Sequence, residues 1–223
     1  EDRAQYLGDP DANPRMPIQT LTSKHYAIRL RNTTSESQVS KSAPDKFDWR
    51  PESPNTTHLS VVDSQRNAVA LTYTLEQGYG SAIVVPGAGF LLNNELTDFS
   101  FLPERQGLPV ANRVEGRKRP RSSMAPTIVF DSAGHPVIVA GSPGGSRIIG
   151  YVVQTLVAML DWGMTPRQAV EMPHFINRNG RTELEEGPRS AALKAALESL
   201  GHEVRVRRLN SGLHVIRRNA DAV

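Results

Sequence analysis

Thr56-Thr57-His58 follows Pro54-Asn55 and abruptly opens a run of strand-forming residues. A threonine hydroxyl is a weak nucleophile unless a base takes its proton. One arrangement that supplies the base is a threonine at a chain terminus, whose own α-amino group accepts the proton. That amine has a reference pKa of about 7.7–8.0, close to the pH at which a base works best. Threonines at strand starts also serve as caps and surface residues, so position alone leaves both readings open.

Three other segments could carry chemistry. In Gly141-Ser142-Pro143-Gly144-Gly145-Ser146-Arg147, the glycines let the backbone approach a ligand closely. The N–H groups of Gly144 and Gly145 sit at or before the positive end of a helix starting near Ser146. That suits an oxyanion hole. A phosphate loop is the competing reading, but no lysine follows as the Walker pattern requires. A plain strand-to-helix turn is the third. Asn93-Asn94-Glu95-Leu96-Thr97-Asp98-Phe99 sets two carboxylates beside two amides, a cluster that binds cations or amino groups or is simply solvated. Arg121-Ser122-Ser123-Met124-Ala125-Pro126-Thr127 sets paired hydroxyls just before a strand. His25, His58, His135, His174, His202 and His214 are scattered without ligand spacing and read as surface or structural residues.

The elements that would position these residues follow from periodicity. Residues 59–62 and 68–74 read as strands around a turn at 64–67, an antiparallel hairpin. Residues 82–85 form a further short strand. Residues 127–130 and 137–140 are two more, joined by a turn at 131–135. Ile148, Ile149, Val152, Val153, Leu156, Val157 and Leu160 recur at helical spacing with a wide apolar face, and Gly163 follows as a cap. Thr165, Pro166 and Gln168 spell a capping box that starts a second helix. Residues 190–200 form a third, closed by Gly201. Val204 and Val206 alternate with arginines as a half-exposed strand, and 213–216 is the candidate to pair with it. The order predicts an α+β fold, with antiparallel sheet covered by helices. Residues 1–55 differ: proline-rich and polar, with a short helix only over 18–30, a segment that wraps on something else or is partly mobile.

Composition bounds the function. A chain of 223 residues with 38% hydrophobic and 22% charged residues is globular, one domain or one domain with an appendage. No apolar run reaches the roughly 20 residues of a membrane helix. The best, 148–160, is too short and contains Gly150 and Gln154. The absence of cysteine excludes disulfides, thiolate metal sites and cysteine nucleophiles, and suits an oxidising compartment. A net charge of +3 argues weakly for a polyanion partner. Arg117, Lys118, Arg119 and Arg121 are broken by Pro120 and lack interleaved aromatics, so they read as a solvated loop rather than a nucleic-acid patch. The first residues are polar, carry no leader pattern and do not begin with Met, so any targeting segment would lie upstream.

In order, Thr56-Thr57-His58-Leu59-Ser60-Val61-Val62-Asp63, Leu92-Asn93-Asn94-Glu95-Leu96-Thr97-Asp98-Phe99, Lys118-Arg119-Pro120-Arg121-Ser122-Ser123-Met124-Ala125-Pro126-Thr127 and Gly141 to Arg147 resemble the signature segments of gamma-glutamyltranspeptidases. The resemblance covers Thr56 to about Phe175 and weakens toward Leu213. Leu7-Gly8-Asp9-Pro10 and Ser23-Lys24-His25-Tyr26-Ala27 resemble the end of that family's large subunit. The family implies an N-terminal nucleophile hydrolase with an αββα sandwich. Residues 56–223 would be the catalytic small-subunit half, truncated at its C-terminus, and 1–55 the extended, partly mobile end of the large subunit.

The resemblance also implies a mechanism. The Thr56 hydroxyl attacks the Asn55 carbonyl, the acyl group moves from nitrogen to oxygen, and water releases a new N-terminus. Thr56 then attacks the γ-amide of glutathione or another γ-glutamyl compound. The acyl-enzyme passes its γ-glutamyl group to water or to an amino acid or peptide. Position by position, Thr56 is the nucleophile with its amine as base, Thr74 orients it, and Gly144 and Gly145 form the oxyanion hole. Glu76, Glu95 and Asp98 hold the substrate's α-ammonium group through charge-assisted hydrogen bonds, and Ser122 and Ser123 hold its α-carboxylate. No cofactor or metal is implied, and no nucleic acid. The implied partner is the large subunit of the same precursor, and the compartment is periplasmic or secreted. Most of that large subunit, with the family's carboxylate-binding arginine, falls outside this chain, as does a further C-terminal strand. An incomplete pocket and unpaired sheet edges are therefore expected. The alternatives are a glutaryl or cephalosporin-type acylase, a poly-γ-glutamate depolymerase of the same superfamily, and an inactive, unprocessed fragment. A glutaryl group lacks the amino group, so Glu76, Glu95 and Asp98 together favour γ-glutamyl chemistry.

Overall fold

The computed structural model describes residues 2–40, 55–178, 180–209 and 211–218. Residues 41–54, part of the segment expected to be extended, lie outside them. Over 2–40 that expectation is corrected, because the segment folds as three short helices, α1 (Asp2–Tyr6), α2 (Ile18–Leu21) and α3 (Lys24–Asn32). The single helix read over 18–30 is divided at Ser23. Its side chain accepts a hydrogen bond from the Tyr26 N–H at 3.1 Å and so starts a new helix.

A buried latch fastens this segment to the rest of the chain. Asp9 is buried, and it accepts hydrogen bonds from the Arg119 guanidinium at 2.7 Å and the Arg119 N–H at 2.8 Å. These bonds hold its carboxyl well below the usual carboxylate range. The Lys118 ammonium is also buried and donates to the Ala111 carbonyl at 2.6 Å. Part of the basic run is thus a structural anchor, not the solvated loop expected.

The hairpin forms as read. β1 (Thr56–Val62) and β2 (Ala68–Thr74) pair antiparallel from Val62↔Ala68 to Thr56↔Thr74. Its sidedness is inverted. Thr56, His58, Ser60, Thr72 and Thr74 face inward, while Leu59, Val61, Val69, Leu71 and Tyr73 are exposed. The polar face turns inward because its hydroxyls satisfy the buried His58 ring. Nδ1 lies 2.7 Å from Thr72 Oγ1 and Nε2 lies 3.1 Å from Ser60 Oγ. Burial, then the nearby His214, lowers the His58 pKa and so favours the neutral ring.

A long connection with a small ribbon, β3 (Glu104–Arg105) with β4 (Leu108–Pro109), leads to the second sheet. There β5 (Thr127–Phe130) and β6 (Pro136–Gly141) pair antiparallel. The hairpin packs on one face of this sheet. On the other lie α4 (Ile148–Leu160) and α5 (Pro166–Glu171), whose Ala158, Met159 and Ala169 join Ile138 and Ala140 in the core. Each large apolar side chain buried here contributes about 1.5–3 kcal/mol. The expected capping box opens α5: the Gln168 side chain accepts from the Thr165 N–H at 2.9 Å. Hairpin, sheet and helices make three successive layers, ββα.

The C-terminal part departs from expectation. β7 (Phe175–Asn177) and β8 (Thr182–Glu185) were not read from sequence. α6 (Ser190–Ser199) crosses over from β8 to β9 (Val204–Arg207), which pairs with β8 in parallel. The last strand, β10 (His214–Arg217), does not pair with β9. It pairs antiparallel with β6, His214 opposite Gly141. Alternation alone does not choose a partner. The buried Val139 and Ala140 of β6 need cover, and Arg207 of β9 finds Glu183 on β8 at 2.5 Å. The strand expected over 82–85 is an irregular loop with a single bridge, Val84↔Leu91.

The hairpin and the second sheet come close together at Gly141. A Cβ there would lie 2.1 Å from the buried His58 ring. Gly141→Ala is therefore expected to destabilise the assembled protein by roughly 1–3 kcal/mol, read as a lowered urea midpoint. An unchanged midpoint would refute this account of the inter-sheet packing.

Candidate active site

The β1–β2 register sets Thr56 directly opposite Thr74 at the open end of the hairpin. The Thr74 hydroxyl donates to the Asn55 carbonyl at 3.1 Å and accepts from the Glu76 N–H at 2.9 Å. Thr74 therefore touches the carbonyl of the Asn55–Thr56 bond itself. Its second contact helps to hold Glu76 at φ +72°, a left-handed conformation that costs a non-glycine residue energy.

The acidic segment is a single 3-10 turn, Glu95–Asp98. Its two amides do structural work. The Asn93 side chain accepts from the Glu95 N–H at 3.1 Å. The Asn94 side chain accepts from the Gln77 N–H at 3.1 Å, and the Asn94 N–H donates to Leu75 O at 3.1 Å. The acid turn is thus tied to the residues that follow Thr74. On its other side, buried Asn112 donates to the Asp98 carbonyl at 2.7 Å and accepts from the Arg121 N–H at 2.9 Å. One amide side chain links the carboxylates to the Ser122-Ser123 segment.

Gly144 and Gly145 have φ of +130° and +61°, two consecutive residues in the region that favours glycine. They lead into a 3-10 turn, Gly145–Arg147, that continues as α4. The turn is pinned from behind. Arg147 pairs with Glu183 at 2.7 Å, and Arg178 donates to the Ser146 hydroxyl at 2.9 Å.

These pieces meet in one cleft of about 220 Å³. Thr56, Thr74, Glu76, Glu95, Asp98, Ser122, Ser123 and Gly145 all line it. Gly144 alone of the anticipated residues does not; it is buried beside the cleft, against Tyr151. Sequence reading missed Arg3, Gln77, Thr97, Arg121 and Met124 in the lining. Asn112 was missed as well, and nothing in its sequence context marks it. Arg3 lay in a segment read as an appendage. Burial, then the charge and hydrogen bond of Asp98, then Glu76, push the Glu95 carboxyl up to about 7. Near pH 7 the Glu95 carboxyl is therefore balanced between its protonated and ionised forms.

The family model for gamma-glutamyltranspeptidase matches residues 1–223, the entire chain. The chain belongs to the gamma-glutamyltranspeptidase family. It is 44% identical over 188 residues to the glutathione hydrolase proenzyme of Escherichia coli, covering 78% of this chain and 31% of that one. It is 33% identical to an acylase proenzyme of a Pseudomonas strain, covering 99% of this chain and 38% of the acylase. The chain thus spans about a third of the length of these curated relatives. Among solved structures it matches a mutant Helicobacter pylori gamma-glutamyltranspeptidase with a TM-score of 0.64 and 40% identity, over 72% of this chain and 90% of that one. A cephalosporin acylase from Bacillus halodurans shares the fold, with a TM-score of 0.79 at 23% identity over 98% of this chain and 38% of that one. The α+β class expected from sequence stands, with the parallel β8–β9 pair added.

The raised Glu95 carboxyl gives this family member a measurable signature. A primary ammonium entering the cleft favours ionised Glu95, so its binding should tighten as pH rises through about 7 and should release a proton near that pH. Calorimetry of glutamate binding in two buffers of different ionisation heat reads this release. Glu95→Gln is expected to abolish it. Binding heats at pH 7 that do not depend on the buffer would contradict the account.

Proposed function

We propose that this chain carries the catalytic centre of an enzyme that hydrolyses and transfers γ-glutamyl groups, with Thr56 as nucleophile. The observation behind this reading is the composition of one cleft. A threonine that opens a strand shares it with three carboxylates, Glu76, Glu95 and Asp98, and two hydroxyls, Ser122 and Ser123. That set complements a zwitterionic amino-acid head, an ammonium on the carboxylates and a carboxylate on the hydroxyls.

Thr56 must first become a chain terminus. Its Oγ attacks the Asn55 carbonyl carbon, and the Thr56 nitrogen leaves as a free amine. Water then hydrolyses the Asn55 ester. The Thr74 hydroxyl, 3.1 Å from the Asn55 oxygen, supports this step by polarising the carbonyl. In turnover the freed amine takes the Thr56 hydroxyl proton as Oγ attacks the γ-carbonyl of the substrate. The Gly144-Gly145 backbone receives the oxyanion. The proton passes to the departing amine, and water or an acceptor amine then releases the γ-glutamyl group.

In this reading, residues 1–55 end the large subunit and 56–223 belong to the small subunit. The partner is the remainder of the large subunit. The exposed apolar face of Leu59, Val61, Val69, Leu71 and Tyr73 supports such a partner, since a hairpin does not leave a continuous apolar face in water without a second layer. An acylase is the nearest alternative. Three carboxylates would repel a glutaryl group, which offers no ammonium to neutralise them.

Expressed with its large-subunit region, the wild type should yield a fragment beginning at Thr56, detected by mass spectrometry. Thr56→Ala should give neither the fragment nor turnover, a loss of at least about 10³-fold. A variant that still matures would refute the mechanism. A γ-glutamyl anilide should be cleaved in preference to a glutaryl anilide. The opposite order would favour the acylase.

A further inference from the structure

Behind the glycine turn lies a buried cluster that touches both of its ends. At one end is Gly144, where a Cβ would lie 3.0 Å from the ring of Tyr151 on α4. That ring is buried and meets the wholly buried His174 ring edge to face, with centroids 5.7 Å apart. His174 Nε2 lies 3.2 Å from the hydroxyl of Thr155, one turn along α4. Its Nδ1 lies 3.3 Å from a Glu185 carboxylate oxygen, in electrostatic contact but off the line of a hydrogen bond.

At the other end is Ser142. Its buried hydroxyl donates to the Ser211 carbonyl, and the Ser211 N–H donates to the second Glu185 oxygen at 3.2 Å. The His174 N–H donates to the first, at 3.3 Å. Burial works against the charge on Glu185, but the bonds from His174 and Ser211 outweigh it and hold the carboxyl below its usual range. The contacts close into a ring, from Gly144 through Tyr151, His174, Glu185 and Ser211 to Ser142. Tyr151, His174, Glu185 and Ser211 stand outside the cleft lining, so they reach the chemistry only through the turn. Two successive glycines are free in conformation and need outside contacts to hold one geometry.

We propose that Glu185 and His174 are positioning residues, which aim the Gly144-Gly145 N–H groups by clamping the turn at Gly144 through Tyr151 and at Ser142 through Ser211. This rests on the oxyanion role proposed above and deepens it. Those N–H groups meet a full negative charge only in the tetrahedral state. The clamp therefore acts on the transition state and not on ground-state binding.

The test compares two ligands on the matured protein with its large-subunit region. Glutamate probes the ground state. A boronic acid analogue of the γ-glutamyl group probes the tetrahedral state: the Thr56 oxygen bonds to boron, its proton passes to the Thr56 amine, and the boron becomes tetrahedral and anionic. Tyr151→Ala, which removes the ring behind Gly144, should lower kcat on a γ-glutamyl anilide by roughly 10- to 100-fold per active site and weaken the boronic acid by a similar factor. KM and glutamate affinity should stay within about twofold. Tyr151→Phe keeps the ring and should recover most of kcat. Glu185→Gln removes the charge facing His174 and should also weaken the boronic acid selectively; it carries the test if Tyr151→Ala fails to mature. Equal weakening of both ligands, or a loss that vanishes when turnover is counted per active site from the acylation burst, makes the cluster merely structural and overturns the proposal. An unchanged ratio of the two affinities does so too. A wild type that binds the boronic acid no more tightly than glutamate overturns the oxyanion reading itself, and this inference with it.

Discussion

The site depends on one antiparallel register. Pairing Thr56 with Thr74 places two hydroxyls at the open end of a hairpin and brings one of them onto the carbonyl of Asn55. A slip by one residue would set Thr56 opposite Tyr73 and carry it to the face away from Thr74. The register is fixed from inside, because His58 is bonded at both ring nitrogens to Thr72 and Ser60 and lies against Gly141. The hairpin thus spends its inner face on polar positioning and leaves its apolar face outward. That inversion fits the proposed covering layer and a chain spanning about a third of the length of its relatives.

Around this end the cleft is assembled from distant parts of the sequence by a few amide and ionic contacts. Asn94 ties the acid turn to the end of β2, and Asn112 ties it to the serine segment. Arg147 and Arg178 pin the glycine turn through Glu183 and Ser146. Burial, and then the repulsion among carboxylates gathered this way, raises the Glu95 carboxyl. In the proposed reading an ammonium ligand would offset both effects, and the same proximity would favour binding of a cation.

The sequence revealed what local rules control. The hairpin, the Thr165 capping box, the long amphipathic helix and the glycine turn each rest on residues a few positions apart. Long-range choices were not legible. Nothing local tells β10 to pair with β6 rather than β9, or Lys118 to bury its ammonium against Ala111. α1 escaped notice because its five residues, mostly polar, carry no periodicity, and Arg3 escaped with it. Thr74 and Glu76 had no chemical signature of their own; only resemblance singled them out, and the register then explained why they lie together.

The central claim is that Thr56 forms the covalent bond to substrate. Rapid quenching of the matured protein with a γ-glutamyl anilide, followed by peptide mapping, tests it most directly. The account predicts one γ-glutamyl group added to the peptide that begins at Thr56, lost again on incubation with an acceptor amine. An adduct on any other residue, or on a chain still uncut at Asn55–Thr56, would contradict it.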